Sequence, residues 1–492
     1  MLAKRTSVTP PVQVVFPESV WRDLHAHLFP GGDVVGEHGA VLSAGVARSG
    51  RGTRLLVRDL FVAEDSRDYL AGKRGHRMLS ADFVRNCILK TRDMGLAYLA
   101  VHNHGRGHMV DFSTVDMASH DRGYPALLDL NRGQPVGALV LATEALAGDI
   151  WWADGSRTGV AEAVVVGSRV GRRYQAPRPK AEEGDLHYSR QTLVFGQAGQ
   201  ATLSRLKVGV IGAGGVGALL VEYLARLGVG HLVVADPDRV EHTNLPRLVG
   251  ARMADAGGWL TEPSRPTWLR RLARRLARPK VRIARRSAVT ASPRMRFEGI
   301  EADFVNADVA CRFTDCDFLF LAADSFQARL VFNAMVHQYL IPGIQVGAKV
   351  RADRDTGAIL DIYAVSRTVL PDYGCLWCNE LIPPARLQDE AATESERRRQ
   401  RYVDDPLVNA PSVITLNALA AAQAANDFLF MMTGLADPTA DNGYRIFRPA
   451  KRQMSPHEPR RDAGCLECGL SRASRRARGD AELLPTRGVA TG

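Results

Sequence analysis

The first residues able to do chemistry lie in HNHGRGHMVDFSTVD at 102–116, which carries His102, His104, Ser113 and Asp116. In a strand, side chains at i and i+2 project to one face, so two imidazoles can reach one ion. A serine that starts a helix would bring an aspartate in the first turn into the same space. Two histidines and a carboxylate leave zinc's fourth position open. Such a site lowers the pKa of water and polarises carbonyls, which suits amide hydrolysis. A second set begins with GAGGVG at 212–217, between an apolar run and an amphipathic one. Gly212, Gly214, Gly215 and Gly217 permit a tight turn that brings backbone N–H groups to a phosphate. Asp236, at the end of the next apolar run, could bond a ribose hydroxyl of NAD. Asp238, Asn244, Arg247 and Lys280 do not suit a dehydrogenase; the added cationic and amide donors point to a triphosphate. A third set is the two Cys-x-x-Cys pairs, Cys375/Cys378 and Cys465/Cys468. Their spacing suits a structural zinc held by four thiolates, with a redox or sulfur-transfer pair as the competing reading.

The His-x-His, loop, Ser-x-x-Asp pattern resembles the signature of the JAMM (MPN/Mov34-type) metallopeptidases, over most of residues 10–165. Many of that family cleave isopeptide bonds to ubiquitin-like proteins. The family also needs an upstream glutamate, here Glu37 in GEHGAVLSAG. The resemblance implies that Glu37 is the general acid/base and that Ser113 hydrogen-bonds the oxyanion, with His102, His104 and Asp116 holding a catalytic zinc. It assigns nothing to His108 or His120, which are expected at the surface. A site that binds metal without turning over is the competing expectation.

The run from GAGGVG through Asp236, Asp238, Val240, Asn244 and Arg247 resembles the ThiF/MoeB/HesA adenylyltransferases, the core shared with ubiquitin-activating enzymes. By that resemblance Asp236 holds the ribose of ATP, while Asn244, Arg247 and Lys280 hold its phosphates. Asp324, in FLFLAADSFQAR, coordinates magnesium or lies beside the reacting carboxylate, supported by Arg329. Arg190, in YSRQTLVFG, is lent across a homodimer interface to the partner's ATP. The implied reaction is attack of a ubiquitin-like protein's C-terminal carboxylate on the α-phosphate, with release of pyrophosphate. The stretch between Arg247 and Lys280 is longer than the family norm, so Lys280 is the least anchored of these residues. The four-cysteine zinc is structural in that group. No cysteine stands between Cys378 and Cys465 to form a thioester, and Cys87, Cys311 and Cys316 are expected to be packing residues. Adenylation alone is therefore expected, any thioester step falling to another protein such as a conjugating enzyme, or to a zinc-pair cysteine.

The elements that must position these residues are legible in the periodicity. Apolar runs at 39–46, 54–62 and 135–142 around a helix at 80–93 suggest a mixed α+β domain. KVGVI, an amphipathic ALLVEYLARLG and HLVVAD form one βαβ unit of a doubly wound, Rossmann-like sheet. The fold class expected is α/β: a JAMM-like domain at 1–168, a linker at 169–185, a ThiF-type domain with its zinc site at 186–470 and a disordered tail at 471–492. The 492 residues, 46% hydrophobic and 24% charged, exclude a disordered or collagenous chain. Seven cysteines cannot form a disulfide framework, which implies a reducing compartment. The N-terminal residues lack a signal-like apolar run, and 413–436 is interrupted by Asn417, Gln423, Asn426 and Asp427, so it reads as a buried helix. A cytoplasmic protein with no membrane partner follows. The net charge of +11 is densest at 265–286, where nine arginines and Lys280 occur with no carboxylate. That segment reads as a solvated helix or, less favoured, a nucleic-acid contact. The expected function is bifunctional: cleavage at the C-terminus of a ubiquitin-like protein, whether that end is free or masked, and ATP-dependent activation of it. Activation of a sulfur carrier is the first alternative, and a basic nucleic-acid scaffold with vestigial sites the second.

Overall fold

The computed structural model describes residues 11–31, 36–65, 67–70, 77–178, 185–261, 264–353, 356, 358–391, 411–437 and 443–488. Contacts divide the chain into two units. One runs to residue 180 and includes His337–Leu340 and Cys468–Leu483; the other is the remainder.

The first unit contains β1 (Val12–Pro17), α1 (Glu18–Leu28), β2 (Gly39–Ser49), β3 (Gly52–Val62), the short pair β4 (Tyr69–Leu70) and β5 (Met78–Leu79), α2 (Ala81–Asp93) and β6 (Ala97–Asn103). It continues with α3 (Thr114–Leu130), β7 (Val136–Leu141), β8 (Leu146–Trp151), β9 (Arg157–Val166) and β10 (Gly171–Arg173). The main sheet has the order β1-β3-β2-β6-β7-β8-β9-β10, and β1 also pairs with β9, so the sheet closes on itself. Central β2 is buried at its first nine positions, which explains why GAVLSAGVA reads as a continuous small and apolar run rather than an alternation. One of its faces joins Val14, Phe16, Leu24 and Leu28. Its Val41 joins Phe83, Ile88, Tyr124 and Leu128 of α2 and α3. Within the expected linker, 171–173 is instead a strand of this unit, paired antiparallel to β9; 179–184 lie outside the described residues.

The expected disorder from 471 does not hold for 471–488, which form a series of turns. Ser474, Arg476 and Ala477 are almost fully buried. The reason is Arg58, itself 4% exposed. Its guanidinium donates to the carbonyls of Ser471 (2.7 Å), Ser474 (3.1 Å) and Arg476, and to Ser474 Oγ at 3.1 Å. Asp480 N donates to Val46 O at 2.8 Å and Arg48 N to Asp480 Oδ2 at 2.7 Å, which extends the edge of β2. A segment with few large apolar residues is thus held by a buried cation and backbone pairing, neither of which a hydrophobic pattern reveals.

The second unit contains α4 (Ser189–Leu203), β11 (Lys207–Ile211), α5 (Gly215–Arg226), β12 (His231–Ala235), α6 (Thr267–Leu276), α7 (Lys280–Ala291), β13 (Arg296–Ile300), α8 (Ala307–Ala310) and β14 (Phe318–Leu321). Then come α9 (Phe326–Tyr339), β15 (Gly343–Ala352), β16 (Ile359–Val369), α10 (Pro384–Ala391), α11 (Ile414–Thr433), β17 (Tyr444–Arg448) and β18 (Gln453–His457). The sheet order is β13-β12-β11-β14-β15-β16-β17-β18. The strands are parallel from β13 through β15 and antiparallel beyond. The order reverses between β11 and β14, and a crevice outside the carboxyl ends of strands at such a switch point is where an open α/β sheet binds ligands. The apolar 413–436 segment is α11, whose Leu416, Asn417, Ala420, Ala424 and Phe428 are buried.

Arg58→Met is expected to cost about 3 kcal/mol, because it leaves several buried carbonyls without a donor. Chemical denaturation checks the loss, and limited proteolysis should then cut within 471–483.

Candidate functional site

At the switch point, β11 runs into the turn that starts α5. Gly212 has φ +94°, and a Cβ there would meet the Ala322 and Ala323 backbone at 3.0 Å. A Cβ at Gly217 would lie 1.9 Å from Gly212 O. Gly214, the N-cap of α5, faces open space. The first N–H groups of α5 lack intrahelical acceptors, so this end suits an anion. Asp236 closes the turn: its Oδ2 accepts from Ala213 N at 2.6 Å and its Oδ1 from Asp238 N at 2.8 Å. Burial pushes its pKa up, against the pull of Lys280 and the two N–H groups. Each oxygen keeps a second lone pair for a hydroxyl donor.

Around this turn, Lys280 opens α7 and pairs with Asp238 at 2.7 Å. Arg247, half-buried, brings its Cδ within 3.4 Å of a Cβ placed on Gly215. Asn244 accepts from Glu241 N at 3.1 Å, which fixes the loop carrying Arg247. Asp324 is exposed in the loop between β14 and α9. Burial lowers the pKa of nearby Arg329, and Asp324 and Glu390 oppose that. Arg190 lies exposed in the first turn of α4, with no hydrogen bond or ion pair among the described residues. Two neighbours have no signature in the sequence. Glu390 accepts from Phe326 N and Gln327 N, both at 2.9 Å, at the start of α9. Asn417 of α11 would lie 2.4 Å from a Cβ on Gly215.

In the first unit, β6 and α3 bring the histidine pair and Asp116 together. His102 Nε2 and His104 Nε2 are 3.1 Å apart; Asp116 oxygens lie 3.6 and 3.3 Å from them, and Glu37 Oε1 is 3.9 Å from His104 Nε2. Two ring nitrogens this close face each other favourably only with a proton or a cation between them. With a hydrogen on His104 Nδ1, that nitrogen donates to Asp111 O at 3.0 Å and leaves Nε2 with its lone pair free for a metal. The three side chains therefore fit a zinc ion, and their donor atoms lie within 4.8 Å of one another. Burial would raise the pKa of Asp116, but hydrogen bonds with His102 and Ser113 outweigh it and hold the carboxyl well below its usual range.

Ser113 differs from its expected part. It is the N-cap of α3, its Oγ accepting from Asp116 N at 3.2 Å and donating to Asp116 Oδ2 at 2.7 Å. Its single hydroxyl hydrogen is thus engaged in orienting Asp116 rather than directed at an oxyanion. His120 is not a surface residue: it is 5% exposed, stacks on Tyr124 and pairs with Asp149 at 3.1 Å. His108 is exposed and pairs with Glu144 at 2.9 Å. A supporting residue missed in the sequence is Asn103, whose Oδ1 accepts from His38 N at 2.6 Å and secures the segment carrying Glu37.

Cys375, Cys378, Cys465 and Cys468 are all buried, with sulfurs within 4.8 Å of one another. Cys378 N and Glu467 N donate to the sulfurs of Cys375 and Cys465 at 3.3 and 3.4 Å, a pattern that favours thiolates and fits a four-coordinate zinc. Of the other cysteines, Cys87 and Cys316 are buried, and burial pushes the Cys87 thiol up to about 11. Cys311, expected to pack, is exposed instead, with its thiol 3.0 Å from Asp308 O.

Residues 188–467, more than half of the chain, match the ThiF family. The chain belongs to the ThiF family. The chain is 30% identical over 210 residues to the SAMP-activating enzyme E1 of Haloferax volcanii, covering 42% of this chain and 66% of that one. It is 28% identical over 194 residues to the sulfur carrier protein ThiS adenylyltransferase of Bacillus subtilis, covering 39% and 49%. It is 32% identical over 155 residues to a probable adenylyltransferase/sulfurtransferase MoeZ of Mycobacterium tuberculosis, covering 31% and 34%. The chain thus spans less than two thirds of the length of each of these relatives. Among solved structures, E. coli MccB with MccA-N7isoASN is 18% identical, with a TM-score of 0.43 over 58% of this chain and 76% of that one. The histidine pair lies outside the matched ThiF segment.

Two outcomes are expected from this geometry. Gly217→Ala should cost about 3 kcal/mol, since backbone rather than a flexible side chain meets the new Cβ, and ATP binding by calorimetry should fall with it. Protein supplied with zinc should carry two equivalents by elemental analysis, one lost in Cys375→Ser and the other in His104→Ala.

Proposed function

We propose that the ThiF domain uses ATP to adenylate the C-terminal carboxylate of a ubiquitin-like protein. The observation that carries this reading is the glycine turn at the switch point, open at Gly214, closed by Asp236 and flanked by Lys280 and Arg247. The N–H groups of α5 and these cations hold the phosphates, and a free lone pair of Asp236 accepts from the ribose. Asp324 serves magnesium, which when bound neutralises phosphate charge. The names of relatives that activate SAMP and ThiS support a small protein partner ending in a free carboxylate. A homodimer in which Arg190 reaches the second copy's ATP is consistent with the exposed Leu186, Leu193 and Val194 around it, at 85, 87 and 63% exposure.

We further propose that the first unit is a zinc peptidase acting at the C-terminus of the same partner. A zinc ion on His102, His104 and Asp116 supplies carbonyl polarisation and a lowered water pKa when bound. Glu37 takes up and returns the proton, and Ser113 holds Asp116 in place. Trimming exposes the carboxylate that adenylation needs, and covalent fusion raises the local concentration of one site's product at the other. Sulfur-carrier activation is the second reading, favoured by the names of the ThiS and MoeZ relatives and by the absence of cysteine between Cys378 and Cys465.

ATP–pyrophosphate exchange with a small protein ending in a free carboxylate is expected only with both present, and to fall at least tenfold in Asp324→Ala and in Arg190→Ala. Absence of exchange with any such partner overturns adenylation. Glu37→Gln should lower peptidase turnover by about 100-fold or more while zinc content stays at the wild-type level; a matching loss of zinc would make Glu37 a ligand or structural residue instead.

A further inference from the structure

The stretch between Arg247 and Lys280 carries α6, TWLRRLARRL. Ala273 and Ala277, 1 and 2% exposed, seat it on the domain. On the adjoining face Trp268, Leu272 and Leu276 follow at one-turn spacing and are 67, 46 and 68% exposed. At 3.6 residues per turn, Arg271 and Arg275 fall on the same outward arc, beside this apolar stripe. Both are exposed, as are Arg265, Arg278, Arg282 and Arg285. The base of the helix is anchored, because Asp255 accepts from Arg286 at 2.6 Å and pairs with Arg278 at 3.2 Å. Arg271, Arg275, Arg282 and Arg285 have no carboxylate partner among the described residues.

We propose that α6 docks this protein on an anionic phospholipid surface, its Trp268–Leu272–Leu276 stripe in the acyl boundary and its guanidinium groups among the phosphates. A strongly amphipathic, arginine-rich helix of low overall hydrophobicity with Trp and Leu on one side has the form of an interfacial element. Charge complementarity selects the occupant. Residues 265–286 carry ten cations and no anion, so there is no alternation of sign to specify a protein partner, whereas a membrane surface is uniformly negative. Nucleic acid would use the arginines but leave the exposed Leu and Trp stripe without an apolar environment. No helix among the described residues is long and apolar enough to cross a membrane, so the contact is a surface one. This departs from the expectation of no membrane partner, and it holds whichever substrate the two enzymatic units act on.

The test is co-sedimentation of the full chain with vesicles of phosphatidylcholine alone and of equal parts phosphatidylcholine and phosphatidylglycerol. Binding to the anionic vesicles only is expected, weakened about 20- to 30-fold in Arg271→Gln/Arg275→Gln and at least tenfold in Trp268→Ser/Leu276→Ser. These positions are exposed, and unchanged thermal unfolding controls for folding. No sedimentation with anionic vesicles overturns the proposal. Binding that survives the apolar substitutions also overturns it, since charge alone would then be at work and nucleic acid would be favoured. A self-association that dissolves in the apolar variant, without vesicle binding, overturns it in favour of a second copy.

Discussion

A carboxylate in a dry place organises the ThiF domain of this chain. Asp236 is 5% exposed and meets the turn through two backbone N–H groups, one on each oxygen. An ionised carboxyl taken from water costs several kcal/mol unless such donors replace its hydration. They can do so only if β11, β12 and the Gly212–Gly217 turn keep their register. The glycines are part of the same constraint. The turn is so tight that a Cβ at 217 would overlap a carbonyl oxygen, which forces the helix to begin immediately outside the switch point. The end of α5, with its unpaired N–H groups, is thereby aimed into the crevice that Lys280 and Arg247 border.

The first unit meets a similar problem with different means. The end of β6 and the segment just after it deliver two imidazoles, and a helix N-terminus delivers the carboxylate between them. Ser113 links the two requirements, because the capping interaction that starts α3 also fixes the oxygen that faces His104. Asp116 therefore belongs at once to the helix and to the donor set, and its depressed pKa keeps it anionic at neutral pH. Behind it, buried His120 and Asp149 stiffen the same helix without taking part in the cluster.

Arginine recurs where the chain departs from its simplest layout. Arg58 is buried and draws the carbonyls of 471–476 around itself. In α6, Arg271 and Arg275 stay outside and flank an apolar stripe. The difference lies in what each guanidinium finds. Its planar array of donors suits a cage of fixed carbonyls in the first case, and in the second Asp255, at the base of the helix, is already occupied by Arg278 and Arg286.

The glycine turn, the histidine pair and the cysteine pairs were all legible from spacing, because strand, helix and metal geometries impose short periods that survive in one dimension. The strands and helices around them were legible for the same reason: KVGVI and the run at 39–46 are apolar and lie in buried strands. What spacing does not carry is the hydrogen of Ser113, the burial of His120, the approach of Glu390 to α9 and the ordering of 471–488. The last three depend on partners far away in sequence: Asp149 for His120, the first turn of α9 for Glu390, Arg58 for the tail. The sequence by itself therefore determined which residue types meet in the two sites. The tertiary structure decided which of their hydrogens and charges are already spent, because that is settled by neighbours that only folding brings within 3 Å or so.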